Sequence, residues 1–235
     1  MTTIDPRSRP PFRPKSFGFT GVAVLIALMF GIGFQEVRWR GGLSSFITSP
    51  VESPSQQLKL GEAAFKNGNV GVALSLFEHL AAKNDPTAEY WLAHMTELGM
   101  GVPKEIPKAI KLYAKAARQN SIPSQTKLGE IYMHGDLVAT DHAKAFDLLD
   151  KAAWHGDPQA AMLLGQMYRF GLGTTVDQVE SYAWSEVAVV EGHTFAKVER
   201  DSAFSSMQPA DRDKAAARSA ILTASILNLS PVQKP

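Results

Sequence analysis

Residues 157–192 read DPQAAMLLGQMYRFGLGTTVDQVESYAWSEVAVVEG, and two earlier stretches follow the same pattern. These are SIPSQTKLGEIYMHGDLVATDHAKAFDLLDKAAWHG at 121–156 and PTAEYWLAHMTELGMGVPKEIPKAIKLYAKAARQN at 86–120. The period is 36 residues. Leu92, Leu128 and Leu164 are in phase, each followed by a small residue, Ala93, Gly129 or Gly165. Met95, Ile131 and Met167 form the next column, then Gly99, Gly135 and Gly171, then Glu105, Asp141 and Asp177. Ala109, Ala145 and Ser181 follow, then Leu112, Leu148 and Trp184, then Ala116, Ala152 and Ala188; Asn120, Gly156 and Gly192 close the units. A fixed period with so many matched columns means stacked copies of one supersecondary unit.

The columns have a mechanical meaning. Apolar spacing of three and four over residues 87–98 predicts an amphipathic helix, which Gly99 ends in a left-handed cap. Asp141 and Asp177 suit the N-cap of a second helix, with Glu105 a poorer equivalent, and Pro107 suits its first turn. Each unit is thus an antiparallel helix pair. One pair cannot bury its apolar face alone, so the expected fold is an all-α, α/α superhelical solenoid. Leu128 and Leu164 should be buried between helices, and Tyr132, Tyr168 and Trp184, which recur in phase, are expected in the core.

AAMLLGQMYRFGLG at 160–173 and KAFDLLDKAAWHG at 144–156 resemble the Sel-one-like repeat of the tetratricopeptide-like superfamily, in particular its membrane-anchored bacterial members. The copy at 86–120 keeps Gly99-Met100-Gly101-Val102, Lys108-Ala109 and Lys115-Ala116-Ala117, but has Thr96 where Tyr132 and Tyr168 stand. The middle copy has Leu137 in place of the second Gly of Gly-x-Gly. The resemblance implies scaffolds that bind protein or peptide partners, in envelope assembly or signalling, and first helices that line a concave groove.

Upstream, Gly61 to Ala73 is 12 residues where Ala93 to Ala109 is 16, so the turn of this pair is four residues shorter and resembles the tetratricopeptide form. Farther upstream, SFGFTGVAVLIALMFGIGFQ at 16–35 carries no charge over 20 residues. At about 1.5 Å per helical residue it reaches roughly 30 Å, the hydrocarbon thickness of a bilayer. We read it as a transmembrane helix. Arg7, Arg9, Arg13 and Lys15 precede it and only Arg38 and Arg40 follow closely, so the N-terminus should stay in the cytoplasm and the repeats face the periplasm of a bacterial inner membrane. No Ala-x-Ala cleavage site is present, which favours an uncleaved anchor over a signal peptide; cleavage would leave a soluble secreted repeat protein. Ala23, Ala27 and Gly31 form a small-residue stripe through which the helix could self-associate. The expected organisation is then a basic tail at 1–15, the membrane helix at 16–35, a linker at 36–54 that overlaps the Gly/Ser/Pro-rich spacer 41–57, and a tetratricopeptide-like pair at 55–85. Repeats at 86–120, 121–156 and 157–192 follow, then capping helices at 193–227 and a tail at 228–235.

Basic residues number 24 and acidic ones 23, so the chain lacks the basic excess of a nucleic-acid binder. Cysteine is absent, which excludes disulfides, thiolate metal sites and Cys nucleophiles. His79, His94, His134, His142, His155 and His193 show no paired metal spacing, and His134 and His142 read as solvated turn residues. No GxSxG, P-loop or GxGxxG is present. No catalytic residue, metal or cofactor is therefore expected, and an adaptor is favoured over an envelope hydrolase built on the same frame. Mapped by phase onto the groove that the resemblance implies, the candidate partner-binding residues are Phe65; Tyr90, His94 and Glu97; Glu130 and Met133; and Met162, Gln166, Arg169 and Phe170, with Leu58, Glu62 and Thr126 on the same face. Tyr90, Met133 and Phe170 are expected to be exposed there.

Overall fold

The turns marked by the 36-residue phase are made by backbone in the left-handed region. Gly99, Gly135 and Gly171 cap their helices with φ of 74°, 76° and 68°, a conformation in which a Cβ would crowd the following carbonyl. The returning turns pass through Asn84, Asn120, Gly156 and Gly192, again 36 residues apart and all with positive φ. The computed structural model describes residues 53–229, which fall within a unit spanning Val51–Pro235. The expected basic tail, the membrane helix at 16–35, nearly all of the linker and the last six residues lie outside the described residues. Among the described residues no helix is long and apolar enough to cross a membrane.

Ten α-helices and no strand occur among the described residues. They pair as α1 (Pro54–Lys66) with α2 (Val70–Ala81), α3 (Pro86–Leu98) with α4 (Ile106–Arg118), α5 (Ile122–His134) with α6 (His142–Trp154), and α7 (Pro158–Phe170) with α8 (Gln178–Val190). Each pair packs on the next, giving an all-α solenoid of helix pairs. Three residues connect α1 to α2, whereas seven connect the helices of each later pair. Residues 54–57, read from the sequence as spacer, are the first turn of α1. The Ser53 side chain and Gln56 make a reciprocal capping box that starts the helix there.

The second helices begin as their caps dictate. Asp141 accepts from the Lys144 N–H and Asp177 from the Val179 and Glu180 N–H groups, while Glu105 makes no side-chain cap bond. In each long turn the cap residue's own N–H donates backward, from Glu105, Asp141 and Asp177 to the carbonyls of Thr96, Tyr132 and Tyr168 at 3.1, 2.9 and 2.9 Å. Asp85 and Asp157 cap the first helices α3 and α7 in the same manner.

Within each pair a small residue admits a side chain from the opposite helix. A Cβ on Gly129 would lie 2.5 Å from Leu149 Cγ, one on Gly61 2.7 Å from Phe77 Cε1, and one on Gly165 2.6 Å from Ser185 Oγ. Leu128 and Leu164 are buried, as is Trp184. One expectation needs correction. Tyr132 and Tyr168 are half-buried at the core margin, where Lys144 Nζ lies 4.4 Å from the Tyr132 ring centroid and Phe146 meets Tyr168 edge-on at 5.4 Å. The inward column of the second helices is Tyr113, Leu149 and Ser185, one residue past the Leu112 and Leu148 positions, which are only half-buried. Leu149 and Ser185 of that column face Gly129 and Gly165, and Tyr113 shares a buried cluster with Ala93.

The second glycine of Gly-x-Gly joins one pair to the preceding one. A Cβ on Gly173 would fall 2.3 Å from the His142 carbonyl oxygen at the start of α6, and one on Gly101 2.8 Å from Val70 Cγ1 at the start of α2. Beyond Gly192, α9 (Ala196–Ser206) packs on α7 and α8, and α10 (Pro209–Leu229) packs on α8. Arg218 pairs with Glu180 at 2.7 Å, and Ser206 donates to Gln178 at 3.0 Å. The α9 helix therefore takes the place of a further first helix, whereas α10 closes the end of the stack against α8 rather than pairing with α9.

Among the described residues, Glu89 is a charged side chain that is fully enclosed. Glu89 in the first turn of α3 has no exposed surface; its carboxylate is paired with Lys115 of α4 and accepts from Gln119 at 2.8 Å. Lys115 also donates to Asn84 in the preceding turn at 2.8 Å, so one ammonium ties the α2–α3 turn, α3 and α4 together.

Candidate functional site

The first helices meet one another directly, α5 against α7 and α7 against α9, which makes theirs the tighter, inner side of the stack. Rings concentrate where α1, α3 and α4 converge on that side. Phe65 lies 5.0 Å from Trp91 and 6.0 Å from His94 between centroids. Tyr90 lies 5.5 Å from Trp91, 6.2 Å and nearly parallel to His94, and 5.8 Å from Tyr113. Phe77 stacks beneath Trp91 at 5.6 Å. Leu58 packs partly buried against the same cluster, and Glu62 accepts from the Trp91 indole N–H at 3.2 Å.

A polar chain runs on from the rings. The Tyr113 hydroxyl donates to Glu97 at 2.7 Å, and Lys127 of α5 reaches Glu97 and Glu130, both at 3.3 Å. His94 Nδ1 sits 3.9 Å from the Glu97 carboxylate, which is only 14% exposed. Burial lowers the His94 pKa below its ordinary value, against the raising effect of Glu97 and with a smaller lowering from Lys127. Burial raises the Tyr113 pKa strongly, reinforced by its hydrogen bond to Glu97, and burial also raises that of Tyr90. Burial of Lys127 would lower its pKa, but Glu130 and Glu97 outweigh this and raise it. At neutral pH the site thus holds a neutral imidazole among rings, beside a charge-paired carboxylate.

At the far end of the stack, Gln166 and Arg169 of α7 both donate to Glu199 of α9, at 3.0 and 2.9 Å. The Arg169 guanidinium lies 4.9 Å from the Phe170 ring centroid, and that ring is 58% exposed. Met162 is half-buried against the core.

Two members of the expected face turn inward. Met133 is 7% exposed and belongs to the core shared with Leu163 and Met167. It lies in the last turn of α5, and its side chain belongs to a core cluster built mainly from α6, α7 and α8. Thr126 is buried too, its hydroxyl donating to the Ile122 carbonyl at 3.2 Å. Phe65, Tyr90 and His94 come together in the ring cluster; Glu97 and Glu130 meet through Lys127; Gln166 and Arg169 meet through Glu199. Trp91, Tyr113, Lys127 and Glu199 were not among the expected residues. The run Tyr90-Trp91-x-x-His94 carried a signal for Trp91, since three rings within five residues of one helix fall on adjoining faces.

His134 is exposed in its turn, and the carboxylate of Asp141 is used as a helix cap. Among the described residues no group of three His, Asp or Glu side chains could hold a metal ion.

The family model for the Sel1 repeat matches residues 86–121, 122–157 and 158–189. The chain is 26% identical over 118 residues to an exopolysaccharide production negative regulator of Rhizobium leguminosarum bv. viciae, a match that covers 50% of this chain and 42% of that protein. A Sel1 repeat protein from Oxalobacter formigenes of known crystal structure superposes with a TM-score of 0.56 and 31% identity, over 62% of this chain and 43% of the other. A protective antigen of uropathogenic Escherichia coli displaying an SLR fold matches with a TM-score of 0.46 and 22% identity, over 78% of this chain and 49% of the other. The chain spans less than half the length of each of these relatives. Residues 86–189 thus match the Sel1 repeat model three times in succession, within a longer stack of helix pairs.

Proposed function

We propose that this chain is a membrane-anchored repeat adaptor whose inner face binds a protein or an extended peptide. The observation that carries the reading is the cluster of half-exposed rings at Phe65, Tyr90, Trp91 and His94, on a face where Glu62, Glu97, Glu130 and Arg169 are already engaged by neighbours. Such a face has little charge to satisfy and several rings to offer, and aromatic side chains dominate the energetics of protein interfaces. The uncharged run at 16–35 and its flanking basic residues support an anchor in the bacterial inner membrane with the repeats in the periplasm, serving envelope assembly or signalling. The name of the Rhizobium relative, a negative regulator, suits a protein that acts by holding another.

Cross-linking capture from intact cells tests the reading, with wild type set beside a Phe65→Ser/Tyr90→Ser double variant. A partner held by the wild type and lost from the folded variant supports it. Equal capture by both would move the binding surface elsewhere. Resistance of the protein to carbonate extraction tests the anchor, and a soluble mature form starting near Phe34 would refute it.

A further inference from the structure

We propose that the outer face of α4 is an electrostatic docking surface for an anionic phospholipid bilayer. Lys108, Lys111, Lys115 and Arg118 follow one another at intervals of three and four, so they share one face of the helix, and Lys104 in the preceding turn continues the row. Ala109, Tyr113, Ala116 and Ala117 occupy the opposite, buried face. Lys104, Lys108, Lys111 and Arg118 are exposed, and Lys115 is 43% exposed. Lys83 lies beside Asn84, the residue that Lys115 contacts, and extends the row into the α2–α3 turn.

Two carboxylates approach the row. Glu105 stands 3.8 Å from Lys108 with both side chains largely in solvent, and Glu89 is enclosed behind Lys115. Residues 104–118 thus hold five basic residues and one acidic residue in a chain whose net charge is +1. The feature is not a property of the repeat. One period away the positions of Lys108, Lys111, Lys115 and Arg118 are Val72, Ser75, His79 and Ala82 in the α2 segment, and Lys144, Asp147, Lys151 and Trp154 in α6.

The chemistry of the row favours a lipid surface over a macromolecular partner. None of the exposed large hydrophobic side chains among the described residues falls between Gly99 and Asp136, so the row offers no aromatic or aliphatic anchor. Interfaces with proteins need such anchors and are depleted in lysine, and single-stranded nucleic acid needs rings on which to stack. Four of the five basic side chains are lysines, hydrated point charges on flexible stems rather than the planar forks that grip carboxylates bidentately. A straight row of roughly 20 Å on the outer side of the stack suits a flat sheet of phosphates, where each basic residue strengthens binding about fivefold.

The test mixes the full chain with vesicles of phosphatidylcholine alone or of phosphatidylcholine with phosphatidylglycerol. The rate of amine labelling at Lys104, Lys108 and Lys111 is read by mass spectrometry, with Lys151 of α6 and Lys197 of α9 as internal references. The lipid comparison keeps the readout independent of whether residues 16–35 insert. Labelling of the row should slow selectively on the anionic vesicles and recover in high salt, where charges are screened. A Lys108→Gln/Lys111→Gln/Arg118→Gln variant should keep its helix content and melting temperature and lose the protection at Lys104. Equal labelling rates on the two vesicle types would overturn the proposal. So would protection by polyglutamate or duplex DNA with none from anionic vesicles.

Discussion

The pair formed by Glu89 and Lys115 should respond asymmetrically to removal of its partners. Glu89 has no exposed surface, whereas the Lys115 side chain is 43% exposed. Replacing Lys115 by Met leaves a carboxylate enclosed with Gln119 as its remaining side-chain donor. Stranding a buried charge in this way costs about 3–5 kcal/mol. Replacing Glu89 by Met instead leaves an ammonium that can turn into water, fills most of the vacated space, and loses charge-assisted hydrogen bonds worth about 1.5–3 kcal/mol. The double variant should therefore be more stable than Lys115→Met alone, because an apolar pair of similar volume removes the stranded charge. Urea denaturation followed by helical circular dichroism, run on the four proteins of the cycle, measures the difference. If Lys115→Met cost no more than Glu89→Met, or if the double variant were the least stable of the four, the pair would not be the enclosed contact described above.

Gly173 and Gly68 both have positive φ, but a Cβ at Gly173 would meet the His142 carbonyl while one at Gly68 would meet nothing. Gly68→Ala should cost about 1–2 kcal/mol from backbone strain, and Gly173→Ala about 3 kcal/mol or more once overpacking is added; thermal melts compare the two. Because the folded-state pKa of His94 is lowered, its contribution to stability is present above the ordinary value of 6.5 and is lost as pH falls through 6.5 toward the folded value. Chemical denaturation between pH 8 and pH 5 should show a decline that is smaller in His94→Gln, and parallel curves would refute this. Phe170→Ser should leave the melt nearly unchanged while weakening binding to a captured partner. Met133→Ser should cost about 2–4 kcal/mol through loss of a core side chain, and an unmoved melting temperature would contradict its burial.

The sequence carried the repeat frame well, because period, turn residues and caps are local features. Asp141 and Asp177 cap helices, and Gly99, Gly135 and Gly171 adopt the left-handed region that their positions demand. What one sequence did not reveal was which way a side chain turns once neighbouring pairs close. Met133 falls on the same helical face as Glu97 and Arg169, yet it is buried in a core shared with the following units, and that depends on packing between units rather than on phase within one. The Tyr113, Leu149 and Ser185 column was hidden by its chemistry, since a phenol, an aliphatic chain and a hydroxyl do not look alike. Lys127 and Glu199 escaped notice because each completes a contact whose other half lies about one period away.

The glycine that seats one pair on the preceding one has a mechanical consequence. Gly101 brings its turn onto the Val70 side chain at the start of α2 and Gly173 onto the His142 backbone at the start of α6, whereas the middle copy has Leu137 at that position, 36% exposed. The joint between the α3–α4 and α5–α6 pairs should therefore be the more compliant one, bridged by the Lys127–Glu97 ion pair. Under tension along its axis the stack should behave as two stiff segments joined by a soft spring, yielding first beside the ring cluster, so that force applied to either end would be felt at the face that holds the rings.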